Sequence, residues 1–402
     1  MTDHDVAIVG ASLAGCTAAV LLARQGARVA LLERSPKPDH YKRVCTHYIQ
    51  GPGAPTLERL GLSEAIIAAG GIRDSGDFWT PHGGWVRPDW DVLPRGYDLC
   101  REKLDPMLRA LARDTPGVEL MMGQTVTGLL RDAAGRPAGV VTGDREVPAR
   151  VVVGADGRGS TVARLAGVRG RVRPHGRFGY FAYFEGVEPA AEDPHRSRLW
   201  FSDPDCAYAF PGGDGRTLIG MMAHKDRLAE FKADLDAAVI RHFDGLPDAP
   251  DLAAATRVAP WIGRLDMSNV RRPAAAPGVA FIGDAAQASD PLWGVGCGFA
   301  LTSAEWLADE LGGALVAGTD VDAALAQYRR RHRQEIGGHH WLMSDYASGR
   351  RMTPFERMLF KGGAADPRVA TSLGRLGARS VPVRQALSPR VVARAAWAAA
   401  TA

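Results

Sequence analysis

Apolar residues run without interruption over Val6–Val9 and again over about Arg28–Leu32. Between them lies an Ala-rich stretch of helical period, about Ala14–Gln25, stopped by Gly26. This is the pattern of a β-α-β unit whose strands are buried on both faces. Helical patterns follow at Pro55–Leu60, Ser63–Ala69 and Cys100–Arg113, and short apolar runs at Val118–Met122, Gly139–Thr142 and Arg150–Val153 read as strands. The pattern changes at about residue 172. Phe178–Glu185, Arg198–Phe201, Ala207–Phe210 and Thr217–His224 predict antiparallel strands separated by turn residues, and one amphipathic helix is predicted over Leu228–Phe243. A buried strand returns at Val279–Ile282, ahead of a glycine loop and a helix over about Gly298–Leu311. From residue 320 the chain reads as helical, with breaks expected at Gly337-Gly338 and Gly362-Gly363.

The predicted fold is α/β: a Rossmann-like nucleotide-binding domain of three ββα layers, an inserted antiparallel β-rich lobe, and a helical C-terminal tail. The expected boundaries put residues 1–75, 99–170 and 273–330 in the nucleotide-binding domain and 76–98 and 171–272 in the second lobe. Residues 331–402 form the tail. At 402 residues, with 46% hydrophobic and 23% charged residues, the chain can bury more than one core. Its net charge of +4 is spread along the sequence, which gives no footprint for nucleic acid. The longest apolar candidates, Ala18–Leu32 and Val391–Ala402, are broken by Arg24, Arg28 and Arg394, so no membrane span is expected. Five scattered cysteines without a C-x-x-C pair suggest neither a disulfide framework nor a metal site, and the cytoplasm is the expected compartment. The basic run Arg329–Arg333 and the pair His339-His340 read as a solvated helix face.

Three glycine loops carry the chemistry. Gly10-Ala-Ser12-Leu13-Ala14-Gly15 follows the first strand and opens the first helix, where a dinucleotide pyrophosphate finds free N–H groups and a partial positive charge. Ser12 replaces the middle glycine, so its Cβ must point away from the phosphate. Glu33 ends the second strand, where a carboxylate takes the ribose hydroxyls. Gly154-Ala155-Asp156-Gly157 and Gly283-Asp284 each follow a buried strand, the latter leading into Pro291-Leu-Trp293-Gly294-Val-Gly296-Cys297-Gly298. Either aspartate can also be read as a helix cap. A helix starting near Gly298 aims its positive end at any group that gathers negative charge there.

In their order, these loops resemble the FAD-dependent aromatic hydroxylase superfamily of the para-hydroxybenzoate hydroxylase type, over the first 310 or so residues. The resemblance implies FAD, with Gly10, Ser12, Leu13, Ala14, Gly15, Glu33, Arg34 and Val126 on its ADP half. It places Arg43, Arg101 and Asp156 along the pyrophosphate and the flavin cleft, and Gly283 and Asp284 on the ribityl chain or its phosphate. Pro291, Gly294, Gly296, Cys297 and Gly298 would face the flavin ring. It implies NADPH or NADH as reductant, molecular oxygen as co-substrate, and a small aromatic or polyene substrate. Whether reduction occurs on this chain or through a separate flavin reductase stays open.

Within the superfamily, Lys42-Arg43-Val44-Cys45-Thr46-His47 resembles a segment of geranylgeranyl reductases and flavin halogenases, and Tyr208-Ala-Phe210-Pro211 resembles a shortened motif of the reductases. The halogenase signature of two tryptophans before Ile-Pro is missing, and no lysine lies near residues 70–90 to relay hypochlorous acid. Trp200, Tyr208, Phe210 and Trp293 are the expected substrate contacts, although alternate aromatics on strands also suit a core. His47 is the candidate base, since histidine titrates near neutrality. The leading expectation is a monooxygenase that hydroxylates or epoxidises a metabolite, a secondary one among the candidates, through a flavin C4a-hydroperoxide. The alternatives are a reductase of C–C double bonds and a carrier that binds flavin or an intermediate without turnover.

Overall fold

In a computed structural model that describes residues 4–143, 145–190 and 193–402, and not the side chain of Trp293, the first apolar run forms the strand His4–Val9. It pairs in parallel with Val29–Glu33 on one side and Arg145–Gly154 on the other. Val118–Met122 and Val279–Phe281 extend the parallel arrangement outward, and Ala275–Ala276 closes one edge in antiparallel fashion. The hairpin Val126–Arg131 and Pro137–Thr142 continues from the start of Arg145–Gly154 and folds back toward the first strand. All eleven residues of the helix Leu13–Ala23 are buried, because the helix lies between this sheet and the long helix Gly296–Ala317. The expected FAD-type α/β fold with a helical C-terminal region is present.

The inserted lobe is a ten-stranded sheet. Its main path runs Thr256–Arg257, Arg177–Glu185, Thr217–His224, Cys206–Pro211, Arg196–Phe201, Ile72–Thr80, Gly96–Asp98 and Tyr48–Ile49. One pair in it, Arg196–Phe201 with Ile72–Thr80, is parallel. Its outermost strand, Tyr48–Ile49, comes from the stretch assigned by sequence to the nucleotide-binding domain. Side chains alternate between two faces, as the strand period requires. Phe178, Trp200 and Ile219 meet Phe231 and Phe243 of the covering helices, whereas Phe181, Phe201, Tyr208 and Phe210 meet Leu292, Tyr346 and Met352.

Three local expectations are corrected. The single helix over 228–243 is two, Leu228–Ala233 and Leu235–Asp244, because Asp234 is extended and caps the second by accepting from the Ala237 N–H. The paired glycines do not break helices; Gly337-Gly338 lies within Val321–Tyr346 and Gly362-Gly363 within Pro354–Ala365. Gly362 and Gly363 are there for close approach. A Cβ at Gly362 would collide with the carbonyl oxygen of Ala395 on the last helix, and one at Gly363 would lie 2.7 Å from Leu373. His339 and His340 are buried rather than solvated, with His339 Nε2 3.1 Å from the Val381 carbonyl, while Arg329, Arg330 and Arg333 do face solvent. Burial pushes both histidines down to about 4, so they pack as neutral rings. Among the described residues no cluster suits a metal ion, and no helix is long and apolar enough to cross a membrane.

The Gly362–Ala395 contact leaves no room for a methyl group. Gly362→Ala is expected to lose about 1–3 kcal/mol of stability, the usual cost of overpacking, and a denaturant titration checks it.

Candidate functional site

The first and second glycine loops touch. Gly10 adopts φ +108°, and a Cβ there would lie 2.6 Å from the Ala155 oxygen, so only glycine lets the two turns meet. Ser12 is the N-cap of Leu13–Ala23 but makes no side-chain cap, and the first intrahelical bond runs from Cys16 N–H to Ser12 O. The amides of Leu13, Ala14 and Gly15 precede that bond and are available to an anion. Glu33 is buried at the end of its strand, its two oxygens accepting from Ala11 N–H at 2.9 Å and Ser35 N–H at 3.0 Å. Arg34 and Arg43 are exposed, and Val126 is buried in the sheet core.

Arg101 joins the loops. It opens the helix Arg101–Asp114 and is 2% exposed, with its guanidinium on Asp105 at 2.7–2.8 Å and on Ser12 Oγ at 2.7 Å. Its Nη1 lies 3.6 Å from Cys45 Sγ and 3.9 Å from Cys297 Sγ, and the two sulfurs are 3.6 Å apart. The Cys297 thiol donates to Cys45 and holds the Cys45 pKa well below the ordinary thiol range, against the opposing effect of burial. Arg101 and Lys42 add to that lowering, and Cys297 is pushed up correspondingly. Lys42 Nζ reaches Asp284 at 3.0 Å. Burial alone would raise the Asp284 carboxyl, but Lys42, Arg158 and Arg101 together outweigh it and the pKa is lowered.

The other candidates separate clearly. Asp156 accepts from Ser160 Oγ at 2.6 Å and from Val162 N–H at 3.0 Å, so it organises the second loop and the short helix after it. His47 is buried at φ +63°, its Nδ1 accepting from the Arg101 N–H at 2.9 Å and its ring stacked 5.6 Å from Tyr183. A backbone donor at Nδ1 leaves the proton on Nε2, and burial lowers the ring's pKa, so the side chain is a neutral donor rather than a free base. It faces a small pocket with Tyr183 and Arg216. In the third loop, Pro291 opens the 3-10 turn Pro291–Trp293, Gly294 is left-handed, and the helix begins at Gly296 with no side-chain cap and no acid in its first turn. A Cβ at Gly296 or Gly298 would meet nothing within 4 Å, so both backbones border open space. Gly283 N–H is held by Ser303 Oγ at 2.9 Å.

Beside this loop lies a cavity of about 410 Å³ whose wall includes Phe78, Leu199, Phe201, Phe210, Tyr346 and Phe360, and which reaches Gly294. Phe210 contacts it and stacks on Tyr208 behind. Trp200 does not face it. That ring points to the opposite face of the sheet, packed on Trp85 and Phe243, with Nε1 donating to Pro247 O. Trp293 cannot be placed, because its side chain lies outside the described residues.

The arrangement fits FAD: bare amides at two helix starts, Glu33 at one end, Asp284 midway and open glycine backbone at the other. The family described as FAD binding domain matches residues 3–337. The chain belongs to that family. It is 31% identical to kynurenine 3-monooxygenase of Salinispora arenicola over 350 residues, 80% of this chain and 75% of that one. Identity to digeranylgeranylglycerophospholipid reductase 1 of Methanothermobacter thermautotrophicus is 29% over 347 residues, 84% of each chain. The fold matches flavin-dependent brominase Bmp2 at TM-score 0.81 and 20% identity, covering 98% of both. The protein is therefore an FAD-family oxidoreductase.

Two residues escaped the sequence reading. Arg109 is 4% exposed and bonds the carbonyls of Ala11 and Pro38, tying the loop before Lys42 to the first glycine loop. It shares a buried helix face with Arg101, Leu104, Asp105 and Leu108. Charged residues on that otherwise apolar stripe were the available signal. His175, 2.7 Å from Asp290, helps hold the third loop, since Asp290 caps its first turn through Leu292 N–H. Nothing in the local sequence marks that partnership.

Two outcomes follow from this geometry. Asp105→Ala would strand the Arg101 charge and is expected to cost about 3–5 kcal/mol in a denaturant titration. Asp284→Ala is expected to purify with a reduced flavin-to-protein absorbance ratio while keeping the parent's far-ultraviolet circular dichroism.

Proposed function

We propose that this protein is an FAD-dependent monooxygenase that uses NADPH or NADH to oxygenate a bulky, largely apolar aromatic or polyunsaturated molecule. The observation that carries the reading is the 410 Å³ cavity, walled by aromatic and aliphatic side chains and ending at Gly294 of the flavin-facing loop. Bound FAD would supply the two-electron chemistry between nicotinamide and oxygen. The chain supplies the rest. Phe201, Phe210, Tyr346 and Phe360 exclude water from the reacting end of the cavity. Gln50 and Arg379, joined at 2.6 Å, together with Asp345, Arg350 and Glu356 put polar groups on a largely apolar wall, where they can orient a substrate. The uncapped start of Gly296–Ala317 favours negative charge on the adjoining cofactor edge. His47 acts here as the anchor of the Arg101 backbone rather than as the base. The kynurenine 3-monooxygenase relative supports an oxygenase, and no lysine is among the residues that line the cavity, which weighs against halogenation.

A reductase of C–C double bonds is the second reading. The Cys45 sulfur beside the third glycine loop and the digeranylgeranylglycerophospholipid reductase relative favour it. Turnover with a panel of aromatic amino acids, phenols and polyprenyl lipids decides between the two. An oxygenase stops when oxygen is removed and places an atom of labelled oxygen in the product; a reductase continues anaerobically and places none. With whichever panel member turns over, Leu199→Trp is expected to raise KM by about tenfold or more, on the scale of pocket discrimination. Its flavin-to-protein ratio should match the parent's.

A further inference from the structure

The sequence offers five cysteines, and the fold brings two of them together from segments 252 residues apart. Cys45 belongs to the loop that follows the first β-α-β unit. Cys297 is the second residue of the helix Gly296–Ala317, its side chain turned inward between two glycines whose backbones border open space. The sulfurs are in contact at 3.6 Å, and closing to a disulfide needs about 1.5 Å of further approach, within reach of a side-chain rotation. The remaining surroundings suit thiol chemistry. Arg101 Nη1 lies within 3.9 Å of both sulfurs, and the His47 N–H points at Cys45 Sγ from 3.4 Å. Cys45 is half-buried, so a small oxidant can reach it. Cys16 and Cys206 are different. Each sits in a packed core where burial pushes the thiol up, and neither makes a contact with another cysteine among the described residues.

The position of the pair matters as much as its chemistry. On the FAD reading of the site, the cofactor extends from Glu33 and the first glycine loop past Asp284 to Gly296–Gly298. To do so it passes between the 42–47 segment and the 284–298 segment. Those are the two surfaces that Lys42–Asp284 and Cys45–Cys297 hold against each other. We propose that Cys45 and Cys297 form a reversible disulfide that staples the flavin end of this slot shut, so that oxidation of the pair and seating of FAD exclude one another.

With hydrogen peroxide as oxidant the step balances. The Cys45 thiolate attacks one peroxide oxygen, the O–O bond breaks, and the products are Cys45 sulfenic acid and hydroxide. The Cys297 thiol gives its proton to that hydroxide, and its sulfur displaces hydroxide from the sulfenic acid to form the S–S bond. The displaced hydroxide takes up the proton that Cys45 had released. In total two thiols and one peroxide give one disulfide and two waters. The Cys297 thiol at 3.6 Å and the Arg101 guanidinium at 3.6 Å both favour the attacking thiolate on Cys45 and lower its pKa. A dithiol such as dithiothreitol reverses the bond by exchange.

The test uses the full chain, stripped of flavin and treated with hydrogen peroxide. Free thiols are then alkylated in denaturant, disulfides reduced, and the released thiols given a second label before peptide mass spectrometry. The expected result is that the second label falls on Cys45 and Cys297 alone. Oxidised protein should fail to take up added FAD, dithiothreitol should restore uptake, and protein already loaded with FAD should resist oxidation. Cys45→Ser and Cys297→Ser should each take up FAD equally well before and after peroxide. Both cysteines remaining free after peroxide would overturn the proposal. A disulfide that forms while FAD uptake is unchanged would equally overturn it, by removing the exclusion. Reduced protein that binds no FAD would count against the cofactor reading itself, whereas the labelling needs no flavin and still decides the disulfide.

Discussion

A guanidinium withdrawn from water must find its partners inside the protein, and Arg101 finds them on four separate segments. Asp105 balances its charge from one turn along the same helix, Ser12 of the first glycine loop accepts an N–H, and Nη1 lies against Cys45 of the 42–47 segment and Cys297 of the third glycine loop. Moving any of these segments would leave a buried cation short of a partner, a situation that costs several kcal/mol. The helix that carries Arg101 is itself fixed by Leu104, Leu108 and Ala112 in the nucleotide-binding core. One buried charge therefore sets the spacing of loops that are distant in sequence.

The second constraint is the parity of the inserted sheet. Tyr208 pairs with Leu199, and Ala207 with Trp200, so adjacent residues of one strand serve opposite faces. The face with Leu199 and Phe201 borders the cavity; the face with Trp200 is sealed beneath two helices. A shift by one residue would put an indole into the cavity and an isobutyl group into the core. The sheet thus separates a packed face from a cavity-lining face.

Closure of the cavity falls to the C-terminal helices. Tyr346, Met352, Leu359 and Phe360 complete its wall, and the tight approach of Pro354–Ala365 to the last helix, permitted at Gly362, keeps that wall in place. Arg177 stacks 4.4 Å from the Tyr346 ring and lies 3.6 Å from Asp290, which links this wall to the cap of the third glycine loop. Cavity wall and third glycine loop are consequently held by one polar cluster beneath both.

The amino-acid sequence by itself determined the parallel core, since Val6–Val9 and Val29–Leu32 have no polar face to offer water. It also determined the three glycine loops, because Gly10 and Gly294 occupy conformations that other residues rarely adopt. Spacing sufficed there, as each loop is read by its own strand and helix. The tertiary structure alone decided what those loops meet. Strand register, which turned Trp200 away from the cavity and Leu199 toward it, depends on hydrogen bonds to strands elsewhere in the chain. Gly362-Gly363 reads as a break until the helices that pack against it are in place. The Cys45–Cys297 contact and the charge on Arg101 arise between segments that local pattern treats as unrelated. Local periodicity reports which face of an element is apolar; only packing fixes what that face, and the charge buried within it, finally touches.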